Sequence, residues 1–253
     1  MSRTARLMLF FLALGPFVLA CCWAIAGLPR FSGPEHRYGA LAADQSLSAS
    51  KINNAVTAVT FDIRGFDTLA EEFILFAAIT GILLLLRMKR EEKQENDLDR
   101  ARKGRIMFKT SGAVVFLGRH LMIIVALVGL SIALHATVSP GGGFQGGVII
   151  ASVMLIFIFV NSLHGAAEML TRIFEIVESI GMLGYLACGV CGWFAGASFL
   201  ENILPKADRG ELLSGGLVPL INFSVLLAVA GGFCVLLLEF VKQELIHIRG
   251  DGQ

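Results

Sequence analysis

Apolar residues gather in six long blocks, at about Leu7–Gly27, Leu69–Leu86, Arg119–Val138, Gly147–Leu163, Val177–Leu200 and Leu217–Phe240, with polar or glycine-rich breaks between them. Each block approaches the roughly 20 residues that a helix needs to cross hydrocarbon, although the fourth is short. Inside a bilayer the backbone must satisfy its own hydrogen bonds, so the blocks are predicted to be helices. The chain therefore reads as an all-α, polytopic integral membrane protein with about six transmembrane helices.

The breaks are as informative as the blocks. Between the third and fourth lies Pro140-Gly141-Gly142-Gly143-Phe144-Gln145-Gly146-Gly147, five glycines and a proline in eight residues. Neither flanking helix is expected to continue through such a run. A plain connection needs far fewer breakers, so the glycines imply close approach of backbone by another helix or by a partner subunit. Gln145 is placed to bond a broken helix end, and such ends form ion sites in some transporters. The break lies toward the outer surface rather than the midplane, which favours interface packing. A second break, from Arg87 to Arg105, mixes acids and bases with little apolar content and reads as a solvated linker. It divides the chain into a two-span module over residues 1–87, a charged cytoplasmic linker over 88–110 and a four-span membrane domain over 111–253.

Charge orients the spans. Arg3, Arg6, the ten basic residues from Arg87 to Arg119, Arg172, Lys242 and Arg249 fall on one side, against Arg30, Arg37, Lys51, Arg64, Lys206 and Arg209 on the other. The positive-inside rule then places both termini in the cytoplasm. Arg3 and Arg6 also precede an apolar core as in a signal peptide, and Val18-Leu19-Ala20-Cys21 hints at a lipoprotein cleavage site. The apolar run nevertheless continues through Cys22 to Ala26, too long for a signal core, so the first block is predicted to be a retained helix.

A hydrophobic content of 55%, a charged content of 16% and a mean hydropathy of +0.73 exclude an ordinary soluble domain. With no extended soluble portion, whatever the chain does takes place within or beside the membrane. It shows no phosphate-cradling glycine loop after a strand, no metal-ligand cluster and no catalytic triad. Cys188-x-x-Cys191 has neither a second cysteine pair nor a histidine nearby in sequence, and reads as small apolar packing residues. No enzyme activity, cofactor, metal or nucleic-acid partner is expected.

Ionisable residues at the edges of the spans are the candidate chemistry. Thr68-Leu69-Ala70-Glu71 fits a capping box, with the helix dipole favouring negative charge there. The competing reading has Glu71 exchanging protons or cations at a water-filled entrance, because an ionisable group at a span's edge is costly unless used or hydrated. Asp62 and Arg64 are expected to pair with each other or with Asp67. Glu168, Arg172, Glu175 and Glu178 follow helical spacings and share a face, with Glu168 and Arg172 set for an i,i+4 ion pair. Glu175 and Glu178 lie at or just within the apolar region, as candidates for a hydrated path or for contact with a neighbouring subunit. His135 adjoins the glycine run and is a candidate relay group, whereas His120 and His164 read as packing residues.

The segment His135 to Ile149, with the glycine run at its centre, closely resembles the signature of the MnhB/MrpB component of the Mrp-type multisubunit sodium/proton antiporter. The resemblance extends from about Ser111 to Phe240. Asn54 to Glu71, including Phe61-Asp62-Ile63-Arg64-Gly65-Phe66-Asp67-Thr68, is similar to a segment near the C-terminal end of the large, antiporter-like A component of these systems. Membrane-bound hydrogenases carry the same segment as a small separate subunit. The family pattern has Gly where this chain has Ala70, and this chain adds Glu72. The resemblance implies an accessory subunit working with other antiporter subunits in the inner (cytoplasmic) membrane, among lipid, with Na+ and H+ as the transported ions. It also implies ion-handling roles for Asp67 and Glu71. None of the lysines lies deep in a span, unlike those of the pumping subunits, so the chain is not expected to transport alone. Two other readings stay open: a membrane-arm subunit of a redox-driven complex resembling membrane-bound hydrogenase or complex I, and a scaffold without an ion path.

Overall fold

A computed structural model describes residues 3–28, 37–86, 111–161 and 167–250, with no strand among them. The helices are α1 (Arg3–Ala26), α2 (Arg37–Ser48), the single turn α3 (Ala55–Ala58), α4 (Gly65–Leu86), α5 (Gly112–Leu134), α6 (Gly143–Asn161), α7 (Ala167–Phe194) and α8 (Val218–Gly250), with a π-helical turn over Val59–Ile63 between α3 and α4. Five of them, α4 to α8, are long and apolar enough to cross a membrane. The predicted linker over 88–110 lies outside the described residues, as do His36 and His164.

The chain divides into two compact units, Met1–Leu41 and Ala42–Gln253. In the first, the opening apolar block is helical as α1 with Pro16 inside it. Its apolar part, Phe10–Ala26, is shorter than the other candidate spans. A proline in mid-helix removes one backbone hydrogen bond, a loss that membrane helices accommodate more readily than soluble ones.

In the second unit α8 is the hub. Of its apolar stretch 67% is buried, against 11% for α5, so α8 is the core helix while α5 turns most of its surface outward. Two apolar clusters meet on α8. One joins Ile52, Phe61, Leu69, Tyr185 and Leu200 to Val218, Ile221, Val225 and Val229, and the other joins Ala151, Met154 and Ile158 to Cys234 and Leu238. Neighbouring helices come together through small residues, the means by which membrane helices maximise packing where lipid gives no hydrophobic drive. Gly181 of α7 lies against Ser224 and Ala228 of α8, while Gly231 lies against Phe174 and Glu178. These two helices are therefore antiparallel. Contacts of the same kind make α5 antiparallel to α6, through Gly118 on Val160 and Gly129 on Gly146, and α6 parallel to α8, through Gly143 on Asn222 and Gly147 on Val229.

Neither helix passes through the glycine run, as expected, but the second begins earlier than the predicted Gly147. α5 ends at Leu134, but α6 begins at Gly143, so Gly143, Gly146 and Gly147 are helical. Glycine's low helix propensity is overridden by tertiary contact. A Cβ at Gly147 would lie 2.9 Å from Val229 Cβ, and one at Gly143 would overlap the Asn222 carbonyl of α8. The close approach predicted for the run is made within the chain, by α5 on one side and α8 on the other.

Candidate functional site

Where α5 turns into α6, one buried side chain closes both helix ends. Asn222 Nδ2 donates to the Ala133 carbonyl (2.7 Å), and its Oδ1 accepts from the Gly143 amide (2.6 Å). Both are groups that a helix end leaves without an intrahelical partner. Asn54 works from the opposite flank, its Nδ2 donating to the carbonyls of Ala136 (3.0 Å), Ser139 (3.0 Å) and Gly141 (3.3 Å). The amides of Asn53 and Asn54 both reach the Thr137 carbonyl. The stretch before α4 is thus bonded directly onto the hairpin that follows α5.

Asp62, in the π-helical turn, ties in a third loop. It accepts from Ser50 Oγ and from Asn202 Nδ2 (2.8 Å), and Lys206 Nζ stands 3.5 Å away. Asn202 also donates to the Gly215 carbonyl (2.7 Å) and accepts from the Leu217 amide (2.8 Å), while Lys206 donates to the Ala49 carbonyl (2.9 Å). Arg64 pairs instead with Asp67, the second of the two partners the sequence allows.

Deeper in the bundle, α4 and α7 face each other across a seam floored by α8. Tyr185 of α7 is 1% exposed, and its hydroxyl donates to the Gly65 carbonyl at the start of α4 (2.8 Å). Glu72 of α4 is 3% exposed, and its Oε2 has no hydrogen-bond partner among the described residues. Glu178 of α7 is also buried, at 6% exposed. Its Oε1 and Ile79 Cδ1 of α4 both crowd the open face of Gly232, where an added Cβ would lie 2.9 Å and 2.5 Å from them. Both carboxyls thus sit in protein within a membrane-spanning layer, where ionisable groups are costly and face the interior or a hydrated path.

The candidates singled out by the sequence separate in this geometry. Glu178 points inward, whereas Asp67, Glu71, Glu175 and His135 lie on the exposed surface of the chain. His135 follows α5 directly, with Nδ1 2.9 Å from the Ser131 carbonyl. Of the signature, Pro140, Phe144 and Gln145 are exposed, Gly141 is half-buried, and Gly142, Gly143, Gly146 and Gly147 are buried. The capping box is corrected. α4 starts at Gly65, so Thr68 lies inside the helix and its hydroxyl donates to the Thr60 carbonyl (2.7 Å) instead of capping. The π-helical turn directly ahead of α4 supplies that carbonyl. Glu72, Tyr185, Asn222 and Asn202 are the residues that sequence reasoning misses. Glu72 is visible there as the second acid of a pair at a span's edge, and Asn222 as a lone amide inside an apolar block. Nothing local in the sequence singles out Tyr185. Cys188 packs beside the first apolar cluster, and no group of three or more possible metal ligands occurs among the described residues.

Residues 113–235 match the family described as a domain related to the MnhB subunit of Na+/H+ antiporter. The uncharacterized protein MJ1307 of Methanocaldococcus jannaschii is 28% identical over 196 residues, covering 72% of this chain and 74% of that protein. The A/B subunit of a probable K(+)/H(+) antiporter from Rhizobium meliloti is 29% identical over 211 residues, 76% of this chain but 21% of that much longer relative. Among solved structures, a chain of the membrane-bound sulfane sulfur reductase, an archaeal respiratory membrane complex, superposes with a TM-score of 0.65 at 27% identity, covering 95% of this chain and 98% of its own. A chain of the Mrp complex from Dietzia sp. superposes with a TM-score of 0.60 at 20% identity, covering 94% of this chain and 26% of that one, a likeness of fold.

Proposed function

With residues 113–235 an MnhB-related domain, we propose that this chain is an accessory membrane subunit of a multisubunit monovalent cation/proton antiporter. The observation that carries the reading is the Rhizobium relative. Its joined A/B polypeptide matches 76% of this chain, more than the MnhB-related domain alone occupies. On this reading residues 1–87 are an A-type module, 88–110 the joint and 111–253 the B-type domain. The chain acts as part of a transporter rather than as an enzyme, in the cytoplasmic membrane and among other antiporter subunits. Na+ and H+ are the ions exchanged. Asp67, Glu71, Glu175 and His135, all at the chain's surface, serve where a partner subunit meets it, while Glu178 serves inside.

A second reading is favoured by one observation. The sulfane sulfur reductase chain is matched over 98% of its length, so a redox-driven respiratory complex uses a subunit of nearly the same extent. In such a complex this chain would belong to the membrane arm, without binding a redox group itself.

Purification of the tagged chain from its native membrane, with identification of what comes with it, separates the two. Co-purification of antiporter subunits, with loss of Na+-driven proton movement in everted vesicles from a deletion strain, is the expected result. Co-purification of iron–sulfur subunits would favour the second reading.

A further inference from the structure

We propose that the seam between α4 and α7 is a two-station proton path, one station formed by Glu72 and the other by Glu178, with the Tyr185 hydroxyl at the end of the seam where α4 begins. The inference rests on reading the chain as a subunit of an ion-translocating complex, but it does not depend on which kind.

The first observation is the unmatched oxygen. Glu72 is the eighth residue of α4, beyond the first turn, so neither a cap nor the helix dipole accounts for it. A carboxyl oxygen buried without a partner must be met by a proton, a cation or water. The second is the register of the seam. Glu72 and Ile79 are seven residues apart on α4, and Glu178 and Tyr185 are seven apart on α7, so each pair lies on one helix face. The Tyr185 hydroxyl reaches the start of α4 and the Glu178 carboxyl lies near the Ile79 side chain, so the two helices run antiparallel and the two buried carboxyls lie along one seam. The third is the floor. α8 meets Glu178 with Gly231 and Gly232, whose missing side chains let the α7 backbone and the Glu178 carboxyl pack directly onto α8.

The Thr68 and Tyr185 hydroxyls donate to backbone, to Thr60 and Gly65, so neither donates to Glu72, and a proton on the carboxyl is what the proposal assigns to its unmatched oxygen. The other titratable groups around the stations are Glu71 on α4 and Glu175 and Cys188 on α7. Glu71 and Glu175 are exposed on the chain, so each buried acid has a surface acid one turn or less away along its own helix.

The test uses the complete complex in native membranes and dicyclohexylcarbodiimide, which modifies protonated carboxyls in apolar surroundings. Peptide mass spectrometry is expected to find the label on Glu72 and Glu178, unchanged by added Na+. Glu72→Gln and Glu178→Gln are each expected to abolish ion exchange while complex abundance holds. Absence of label from both residues overturns the proposal, as does full exchange in both variants. Protection of Glu72 by millimolar Na+ would convert the station into a cation site and likewise overturn it. If a Gln variant fails to assemble, labelling of the wild-type chain decides. Label on both residues in a complex without Na+-driven exchange would sink the antiporter reading and leave the proton path standing.

Discussion

Asn222 shows how much one side chain can hold. It bonds the last turn of α5 and the first amide of α6 at once, from the middle of an apolar helix. Asn222→Leu keeps the volume but leaves the buried Gly143 N–H unmatched, worth about 1–3 kcal/mol, and takes one donor from the Ala133 carbonyl, which keeps the Ala136 amide. The variant is expected to unfold earlier on heating in detergent. Asn222→Asp, which still accepts from Gly143 but cannot donate to Ala133, should fall between it and the wild type. Glu71 gives the opposite case. Since Thr68 does not cap α4, Glu71→Gln removes no cap, and the abundance of the assembled complex, measured by immunoblot, should not change.

At the scale of helices, the blocks of apolar residues locate α4, α5, α6, α7 and α8, because membrane-length hydrophobic runs have few other structures open to them. Their ends are less legible. α7 starts at Ala167, about ten residues before the predicted Val177, because Glu168 and Arg172 interrupt the apolar pattern without interrupting the helix. The glycine run is legible as a place of close approach, yet its last residues are helical, since propensity alone does not reveal that Asn222 and Val229 lie against them. The candidate site is legible to the extent that spacing along one helix defines a face, which brings out Glu178. Glu72 and Tyr185 depend on the register between two helices that are remote in sequence. Packing also ranks the glycines. Gly143→Val would push a side chain into the α8 backbone, and overpacking of this kind costs about 1–3 kcal/mol or more. Gly81, with nothing within 4 Å of an added Cβ, should accept Ala. Size-exclusion profiles of fluorescent fusions are expected to collapse for the first and match wild type for the second.

At the scale of the whole chain, the alternating directions of α4 to α8 set the loops carrying Asn54, Ser139 and Lys206 at one end of the bundle. The start of α5 at Ser111 lies at the other. Together with the excess of basic residues between Arg87 and Arg119, the positive-inside rule predicts Ser139 and Lys206 on the outside. In a background free of native cysteines, Ser139→Cys and Lys206→Cys should react with an impermeant maleimide on intact cells. Ser111→Cys should react only after the membrane is opened, and the reverse pattern would invert the topology.

The helix that precedes the linker and the helix that follows it do not lean mainly on each other. α4 rests on α7 and α8, α5 rests chiefly on α6, and Asn54 and Asp62 fasten the stretch before α4 to loops far along the sequence. Continuity of the polypeptide between them is then a convenience of stoichiometry and local concentration, not a condition of the fold. Two genes in place of one, cut within the linker, should yield fragments that find each other in the membrane and restore the activity of a deletion strain. The same cut placed between α7 and α8 should not, since it would divide the core helix from the partner it buries most closely.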